Sequence, residues 1–345
     1  MNRVQRKLAA KFAEAMARHE AGDMAAAETQ YRALLADKPN HADALHMLGL
    51  LHFQTGRPEP AIDLIRKAIT HHPKNAAFHA NLGRILNETK RFEEAAEVYA
   101  QAARLDPRSA EAHANRAVAL TAMGRWDAAV DSFEAALALV PGHPDLLHAL
   151  GKTLVSQQRP EAAAERFRQV IEAVPDHVDA WQGLGTVLMA SGDFTGAAAA
   201  LAEACKYRPQ DTELAVDRGV ALTRSGQLDD AIAVLEAVLA QQAGHIRARY
   251  TLGLALKNGY RISEARDQFE MVLRDEPDHA PAMIELGGCR QRENNFEGAM
   301  ALYGRAFRLD NNHFANIIKT MTTIPHGRFS ADYRRMRRNL ETAGL

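Results

Sequence analysis

Histidine is the residue type in this chain best suited to metal binding, and the sequence holds 15 histidines. Six of them recur at one position of a repeated segment, one or more steps of 34 residues apart: His41, His143, His177, His245, His279 and His313. Metal ligands must meet within a few ångströms of one ion, and side chains a whole repeat apart do not converge in this way. We therefore predict that these histidines pack in turns and that the chain has no metal site.

The two cysteines are the other candidates for chemistry. Cys205 and Cys289 lie in apolar segments of different repeats, and no cation is placed beside either one by its spacing. A thiol without such a neighbour has no means of becoming a reactive thiolate. We predict two buried thiols, no disulfide and a reducing, cytoplasmic location.

Motifs that bind cofactors or carry out catalysis are missing from the sequence. It holds no GxxxxGK[ST], HExxH, GxSxG or paired CxxC pattern. Gly183 and Gly185 imitate part of a nucleotide-binding loop, but no predicted strand precedes them. We therefore predict no catalytic residue, no cofactor and no enzymatic activity.

The elements that position these residues are pairs of short helices, best seen in residues 178–211. An apolar face of a first helix repeats at helical spacing, and so does a face of a second helix, after a glycine that ends the first. The residues that define the two faces and the end of the unit are Trp181, Leu184, Gly185, Leu188, Ala197, Leu201, Ala204 and Pro209. Neither helix can bury its apolar face alone, so each hairpin needs a neighbour on both sides.

The closing proline recurs every 34 residues, at Pro39, Pro73, Pro107, Pro141, Pro175 and Pro209. This step predicts nine units: 8–41, 42–75, 76–109, 110–143, 144–177, 178–211, 212–245, 246–279 and 280–313. Residues 1–7 are predicted to extend the first helix. Residues 314–345 are predicted to form a capping helix, with a stripe of Phe314, Ile317, Ile318 and Met321, and then a basic tail.

Two positions within the unit predict how the hairpin packs. The first helix carries glycine or alanine at one position, as at Gly83 and Gly287, and the second helix carries a large residue at another, as at Tyr99 and Tyr303. Glycine inside a helix costs about 1 kcal/mol relative to alanine, so its recurrence indicates close approach of the two helices. Glycines between the helices are predicted to adopt the left-handed conformation that ends the first helix: Gly22, Gly56, Gly124, Gly192 and Gly226.

Over residues 8–313 this pattern resembles the tetratricopeptide repeat. The resemblance implies an all-α, right-handed superhelical solenoid of nine tandem helix-turn-helix repeats with a C-terminal capping helix. Some residues depart from the family pattern. Lys11 and Glu14 occupy core positions of the first unit, Asn311 replaces the last proline, and Arg249 stands where a large apolar residue is usual. Tyr250, next to Arg249, is predicted to take over its packing.

In the resembled family the first helices line a concave groove, and positions six, nine, twelve and thirteen of each unit should face it. The predicted partner-binding residues at these positions are Asn81, Arg84, Asn87, Asn115, Lys152, Arg224, Lys257 and Arg292. Asn81 and Asn115 resemble the start of the asparagine ladder in the repeats of the nucleocytoplasmic O-linked N-acetylglucosamine transferase, which ends here after two residues. The cations favour acidic side chains or a free carboxylate on the partner. The Lys-x-x-x-Asn arrangement of the chaperone-binding carboxylate clamp is missing.

The segment from residue 314 onward is the one marked charge asymmetry in the sequence. It holds six lysines or arginines and two acids, with Ser330 as a predicted N-cap after a break at residues 323–329. Over the whole chain, 42 basic residues balance 43 acidic ones, so no general field attracts nucleic acid or an anionic membrane. Contact of the tail with nucleic acid or anionic lipid is a minor alternative, tested by its salt dependence.

The predicted function is that of a protein-protein interaction scaffold, which binds an extended or helical segment of a partner protein or peptide in its concave groove. The alternative is a non-catalytic substrate-recognition or accessory subunit of a glycosyltransferase or sulfotransferase system, because such repeats often accompany those enzymes. No stretch approaches the roughly 20 apolar residues that span a bilayer, and the N-terminus lacks the apolar region of a signal peptide. The sequence leaves a homo-oligomer open.

Overall fold

The computed structural model describes residues 3–323 and 333–343. The chain divides into two compact units, Met1–Val174 and Pro175–Leu345, here called unit 1 and unit 2. All regular structure in the described residues is helical. The predicted N-cap Ser330 and most of the predicted break before it lie outside the described residues.

Unit 1 consists of helices that pair in sequence order, each odd-numbered helix with the next even-numbered one. The bounds are α1 (Arg3–Glu20), α2 (Met24–Asp37), α3 (Ala42–Gln54), α4 (Pro58–His71), α5 (Ala76–Glu88), α6 (Phe92–Leu105), α7 (Ala110–Ala122), α8 (Trp126–Leu139), α9 (Pro144–Ser156) and α10 (Pro160–Ala173). Each odd-numbered helix is a first helix of a hairpin, and successive first helices are neighbours.

Unit 2 repeats this arrangement and adds three elements after its last hairpin. The hairpin helices are α11 (Val178–Ser191), α12 (Phe194–Tyr207), α13 (Thr212–Ser225), α14 (Leu228–Gln241), α15 (Ile246–Asn258), α16 (Ile262–Asp275), α17 (Ala280–Arg292) and α18 (Phe296–Leu309). The added elements are a 3-10 helix (Asn311–His313), α19 (Phe314–Thr323) and α20 (Tyr333–Thr342). The first helices from α3 to α17 begin every 34 residues, at the predicted starts of the units. The partition of residues 8–313 into nine units stays a prediction.

The small-against-large packing predicted for the hairpins is confirmed. A Cβ atom added to Gly83 would lie 2.8 Å from the Tyr99 ring, and one added to Gly287 would lie 2.5 Å from the Tyr303 ring. Cβ atoms do not approach a ring this closely, so an alanine at Gly83 or Gly287 would force the tyrosine ring to shift. Tyr99 and Tyr303 are fully buried as a result.

The turn inside each hairpin needs a left-handed residue, and the five predicted glycines supply it with φ between 70° and 84°. At the same position of the other hairpins the residues are Lys90, Gln158, Tyr260 and Asn294, with φ between 60° and 64°. This conformation costs an ordinary side chain about 1–2 kcal/mol. The packing of the two helices therefore imposes the turn even where the sequence does not favour it.

Five of the six recurrent histidines lie between helices, as predicted, and four of these cap a helix, whereas His313 ends the 3-10 helix Asn311–His313. Nδ1 of His279 accepts the backbone N–H of Ala282 at 3.0 Å, and Nδ1 of His177 accepts that of Ala180 at 3.1 Å. His41 and His245 do the same for α3 and α15. An accepting Nδ1 requires a neutral imidazole, so these caps depend on the histidines staying unprotonated.

The contacts of Arg249 explain why it can replace the large apolar residue that is usual at this repeat position. It is buried, and its guanidinium donates to the backbone carbonyl of Ala243, six residues earlier. Trp181 and His79 occupy the same repeat position and bond to the corresponding carbonyls, at 2.8 Å for Trp181 and 3.0 Å for His79. Arg249 therefore keeps a hydrogen bond that two other residue types make elsewhere. Tyr250 packs beside it against Phe269, as predicted.

The predicted capping helix is present as α19, which buries Ile317, Ile318 and Met321 in the core shared with α17 and α18. The described part of the basic tail is also packed. In α20, Met336 and Leu340 are buried in the same core, and the Arg308 guanidinium donates to the carbonyl of Ala343 at 2.8 Å. Both segments therefore belong to the folded body of unit 2.

Candidate functional site

The predicted partner-binding residues lie on the odd-numbered helices, on a surface here called the first-helix face. It consists of positions six, nine, twelve and thirteen of the predicted units. Side chains at this face connect neighbouring hairpins: Asn81 on α5 reaches His46 on α3 at 3.1 Å, and Thr121 on α7 reaches Thr153 on α9 at 3.2 Å. Hydrogen bonds therefore link neighbouring first helices of unit 1 at this face.

In unit 1, the two asparagines of the predicted ladder lie at matching positions of neighbouring helices and are half-buried. The Asn81 amide nitrogen bonds to the His46 ring nitrogen, so part of its hydrogen-bonding capacity is already used. Asn115 lies one hairpin further on, at the surface of α7. Their role in gripping a peptide backbone stays a prediction.

Arg84 and Asn87 are the other predicted residues of α5. The Arg84 guanidinium lies 5.3 Å from the centre of the Phe53 ring and 3.5 Å from the Glu88 carboxylate, which orients it along the surface. The Asn87 side-chain oxygen is buried and has no hydrogen-bond partner among the described residues. Because it is buried, this oxygen is not accessible to a partner on the surface.

Exposed apolar side chains surround Lys152, and we did not predict them from the sequence. Val118 on α7 is 42% exposed, and Val155 on α9 is 40% exposed. Both hold predicted groove positions, as does the exposed Lys152. Their apolar residue type at predicted groove positions was the signal that could have identified them.

In unit 2, the first-helix face carries charges that pair between helices. Asp217 on α13, at position six, bonds to Arg247 on α15, and Lys257 on α15 bonds to Glu285 on α17. The predicted residue Arg224 is exposed, with its guanidinium 5.3 Å from the Phe194 ring centre.

A pocket of about 410 Å³ opens at the end of this face, between α15, α17 and α19. It brings together two of the predicted residues, Lys257 and Arg292, and leaves out Arg224. The lining residues are Tyr250, Lys257, Pro281, Ile284, Glu285, Gly288, Arg292, His313, Asn316, Lys319, Thr320 and Thr323.

The pocket has an excess of positive charge. Lys257 is paired with Glu285, whereas Arg292 and Lys319 are exposed and have no ion-pair partner in residues 3–323 and 333–343. We did not predict Lys319 or His313 as site residues. Continuing the 34-residue step once more would have placed Lys319 at position six of the next first helix, which is α19.

Tyr250, which lines the pocket, and the nearby Cys289 both stay protonated at neutral pH. Burial raises the pKa of the Tyr250 hydroxyl, which stays protonated at neutral pH. Burial also raises the pKa of the Cys289 thiol to about 12. Cys289 is buried, as predicted, while Cys205 is half-buried, with a pKa raised by the same cause. The described thiols are both free.

Within residues 3–323 and 333–343, His, Cys, Asp and Glu side chains form no cluster of three or more that could hold a metal ion. The same residues contain no helix with the length and apolar character needed to cross a membrane.

Models of one protein family match this chain. A tetratricopeptide-repeat model matches residues 12–76, 148–212 and 250–313, more than half of the chain, and further models described as tetratricopeptide or TPR repeats match residues 83–124, 108–176 and 188–255. The chain belongs to the tetratricopeptide-repeat family. Comparison with curated protein sequences finds no match.

Solved structures share this fold at low sequence identity. The C-terminal part of a TPR repeat-containing protein from Cytophaga hutchinsonii is 15% identical, with a TM-score of 0.62 over 70% of this chain and 99% of that one. A tetratricopeptide repeat protein from Parabacteroides merdae is 19% identical, with a TM-score of 0.50 over 71% of this chain and 97% of that one. YrrB, described as a TPR protein with an unusual peptide-binding site, is 23% identical, with a TM-score of 0.48 over 53% and 95%. These similarities concern the fold.

Proposed function

We propose that this chain is a protein-interaction scaffold that binds an extended or helical segment of a partner on its first-helix faces. The observation that carries this proposal is the pocket of unit 2, which is formed by α15, α17 and α19 and includes the predicted groove residues Lys257 and Arg292. The large residues of the repeat are used in hairpin packing, as at Tyr303. The residues that vary from hairpin to hairpin remain available to a partner.

The first-helix face of unit 1 supports the same proposal with different chemistry. Val118 and Val155 offer apolar contact area, and the half-buried Asn115 side chain carries an amide donor and acceptor. An extended chain presents a backbone N–H and an apolar side chain at regular intervals, and an amphipathic helix presents an apolar stripe. Either form of segment fits such a surface.

Location, an accessory role and self-association are further points of this proposal. We propose a cytoplasmic location on the basis of the two free cysteines. An accessory role beside a glycosyltransferase or sulfotransferase and self-association remain predictions, which co-purification and the solution mass of the chain would check.

The proposal is tested by site-specific photo-crosslinking in the source cells. A photoreactive residue replaces Val155 on the first-helix face or, as the matched control, Leu139 on α8. Both are exposed apolar side chains of unit 1, at 40% and 37%. We expect the Val155 probe to crosslink one continuous segment of a partner protein, identified by mass spectrometry.

The expected yield from the Leu139 probe is low, and joint replacement of Asn81, Arg84 and Asn115 by alanine should reduce crosslinking from Val155 while the circular dichroism spectrum stays unchanged. Equal crosslinking from both probes, or adducts with no recurrent segment, would refute the proposal.

A further inference from the structure

We infer that the pocket of unit 2 binds an anionic group carried by a peptide, a carboxylate or a phosphate, and that the capping helix α19 completes this site. The inference rests on the proposed function and specifies the chemistry of the partner. Its basis is the set of side chains that α15, α17 and α19 bring to one cavity.

The charged side chains that line the pocket favour a negatively charged ligand. Lys257, Arg292 and Lys319 face one carboxylate, that of Glu285, which is bound to Lys257. Arg292 and Lys319 come from different helices and are free of ion pairs among the described residues. Like charges gathered in a concavity repel each other, and an anion between them relieves this repulsion.

Only some of the uncharged polar groups that line the pocket can donate a hydrogen bond to an anion. Tyr250 and Asn316 carry an O–H and an amide N–H₂ that can donate to an oxyanion. The hydroxyls of Thr320 and Thr323 already donate to backbone carbonyls of α19, at 2.9 and 2.8 Å, so they present lone pairs. We therefore assign the anion to the side of the pocket near Arg292 and Lys319.

The size of the pocket indicates more than a free ion. Its volume of about 410 Å³ lies within the range of sites that enclose a small organic molecule, roughly 300–1,000 Å³. A carboxylate or phosphate group fills only part of this space, which leaves room for the residues that carry it. Ile284 and Pro281 provide apolar contact for those residues.

The role assigned to α19 goes beyond that of a cap. Its buried residues cover the last hairpin, while Lys319 on its exposed side contributes to the pocket. The helix is fixed by Gln291, fully buried on α17, whose amide nitrogen donates to the carbonyl of Met321 at 3.0 Å. This bond holds the backbone of α19, and with it Lys319, beside Arg292.

Binding to a peptide library with three end groups tests the inference. Each short sequence is made with a free C-terminal carboxylate, with a C-terminal amide, and as the amide with one phosphoserine. We expect the full chain to bind carboxylate or phosphoserine forms about tenfold or more tighter than the matched amide, since hydrogen bonds to charged groups have an effect of this size. The preferred form identifies the source of the anion.

The variant Arg292→Ala/Lys319→Ala is expected to lose this preference. The matched control Arg274→Ala/Lys206→Ala removes two exposed cations of unit 2 outside the pocket and should keep it. All four side chains are exposed, so both variants are expected to fold, which circular dichroism checks. Equal affinity for the three forms, an undiminished preference in the pocket variant, or no binding by any form overturns the inference.

The two proposals fail in different ways. If crosslinking from Val155 to a partner segment occurs and no anion preference is found, the scaffold stands and the anion site does not. If peptides with an anionic group bind through Arg292 and Lys319 while Val155 captures no recurrent segment, the anion site stands and the scaffold along unit 1 does not.

Discussion

Units 1 and 2 are built from the same hairpin but bury different polar side chains. In unit 1 these include four histidines, His19, His46, His52 and His79. Among the described residues of unit 2, no histidine is buried, and the buried polar residues are Thr223, Arg249, Thr251 and Gln291. Burial lowers the pKa values of His46 and His52 in unit 1, whereas the buried polar side chains described in unit 2 include no histidine.

This difference separates the positions whose residue type is fixed by packing within the repeat from the positions whose residue type varies. The glycine and the large residue of each hairpin are fixed by close contact, as at Gly83 with Tyr99 and Gly287 with Tyr303. Polar groups between successive hairpins need only a hydrogen-bond partner of suitable reach. Two units with one backbone plan can therefore respond differently to acid, to loss of a hydrogen bond and to loss of a helix cap.

The largest expected effect is the loss of stability of unit 1 in acid. Burial lowers the pKa of His46 from 6.5 to about 4, and burial also lowers the pKa values of His41 and His52. A depressed histidine pKa contributes stability that is complete above pH 6.5 and is lost as the pH falls toward 4. For His46 the contribution is at most ~3 kcal/mol. Amide hydrogen exchange in α3 and α5, corrected for intrinsic rates, should show this loss.

The same experiment contains its control. Amides of α12 and α14 in unit 2, which have no histidine cap and where no histidine of the described residues is buried, should lose less protection between pH 7 and pH 4. His46→Phe keeps a ring against Phe78, whose centre lies 4.5 Å from that of His46, and should flatten the pH dependence in α3 and α5. An unchanged slope in this variant would show that His46 is not the group responsible.

Much of the fold was predictable because packing is local to the repeat. The contact of Gly83 with Tyr99 follows from the residues of a single hairpin, and so does the turn at Gly192. The left-handed turns at Lys90 and Tyr260 were not predictable, because there the surrounding helices impose a conformation that the residue itself disfavours.

The candidate site was less predictable. Lys257 and Arg292 were identified by their repeat position, but Lys319 depends on α19 continuing the stack after the repeat pattern has ended. The pairing of Lys257 with Glu285 and of Asn81 with His46 joins different hairpins. Which side chains remain free on a first-helix face is therefore decided between repeats, where a pattern within one repeat carries no information.

An intermediate loss of stability is expected when the tyrosine hydroxyl at one repeat position is removed. The loss should occur in unit 2 and not in unit 1. The Tyr303 hydroxyl donates to the Gln291 side-chain oxygen at 3.2 Å, and Gln291 is fully buried. Tyr303→Phe leaves this oxygen without a donor, which should lower the free energy of unfolding by about 1–3 kcal/mol. The Tyr99 hydroxyl has no hydrogen-bond partner among the described residues, so Tyr99→Phe should change stability by less than about 0.5 kcal/mol.

The two tryptophans make this comparison measurable, because Trp126 lies in unit 1 and Trp181 in unit 2. Urea unfolding of chains that retain only one tryptophan reports on each unit by fluorescence. Tyr303→Phe should lower the midpoint seen by Trp181, and Tyr99→Phe should leave that seen by Trp126 in place. Equal shifts for the two substitutions would mean that the bond to Gln291 does not distinguish the units.

The smallest effect is expected at the cap of α20, where unit 2 has a contact that unit 1 lacks. The Arg308 guanidinium donates to the carbonyls of Leu340, Glu341 and Ala343 at 3.3, 3.5 and 2.8 Å, at the end of the helix where a cation is favourable. Arg308→Ala should therefore weaken the protection of α20 amides by about 0.5–1 kcal/mol. Arg104 holds the same repeat position in unit 1, and its one hydrogen-bond partner among the described residues is Gln101 of its own helix. Arg104→Ala should leave amide exchange in α6 within about 0.5 kcal/mol of its original value. If α20 kept its full protection in Arg308→Ala, its apolar residues Met336 and Leu340 alone would suffice to hold it on α18.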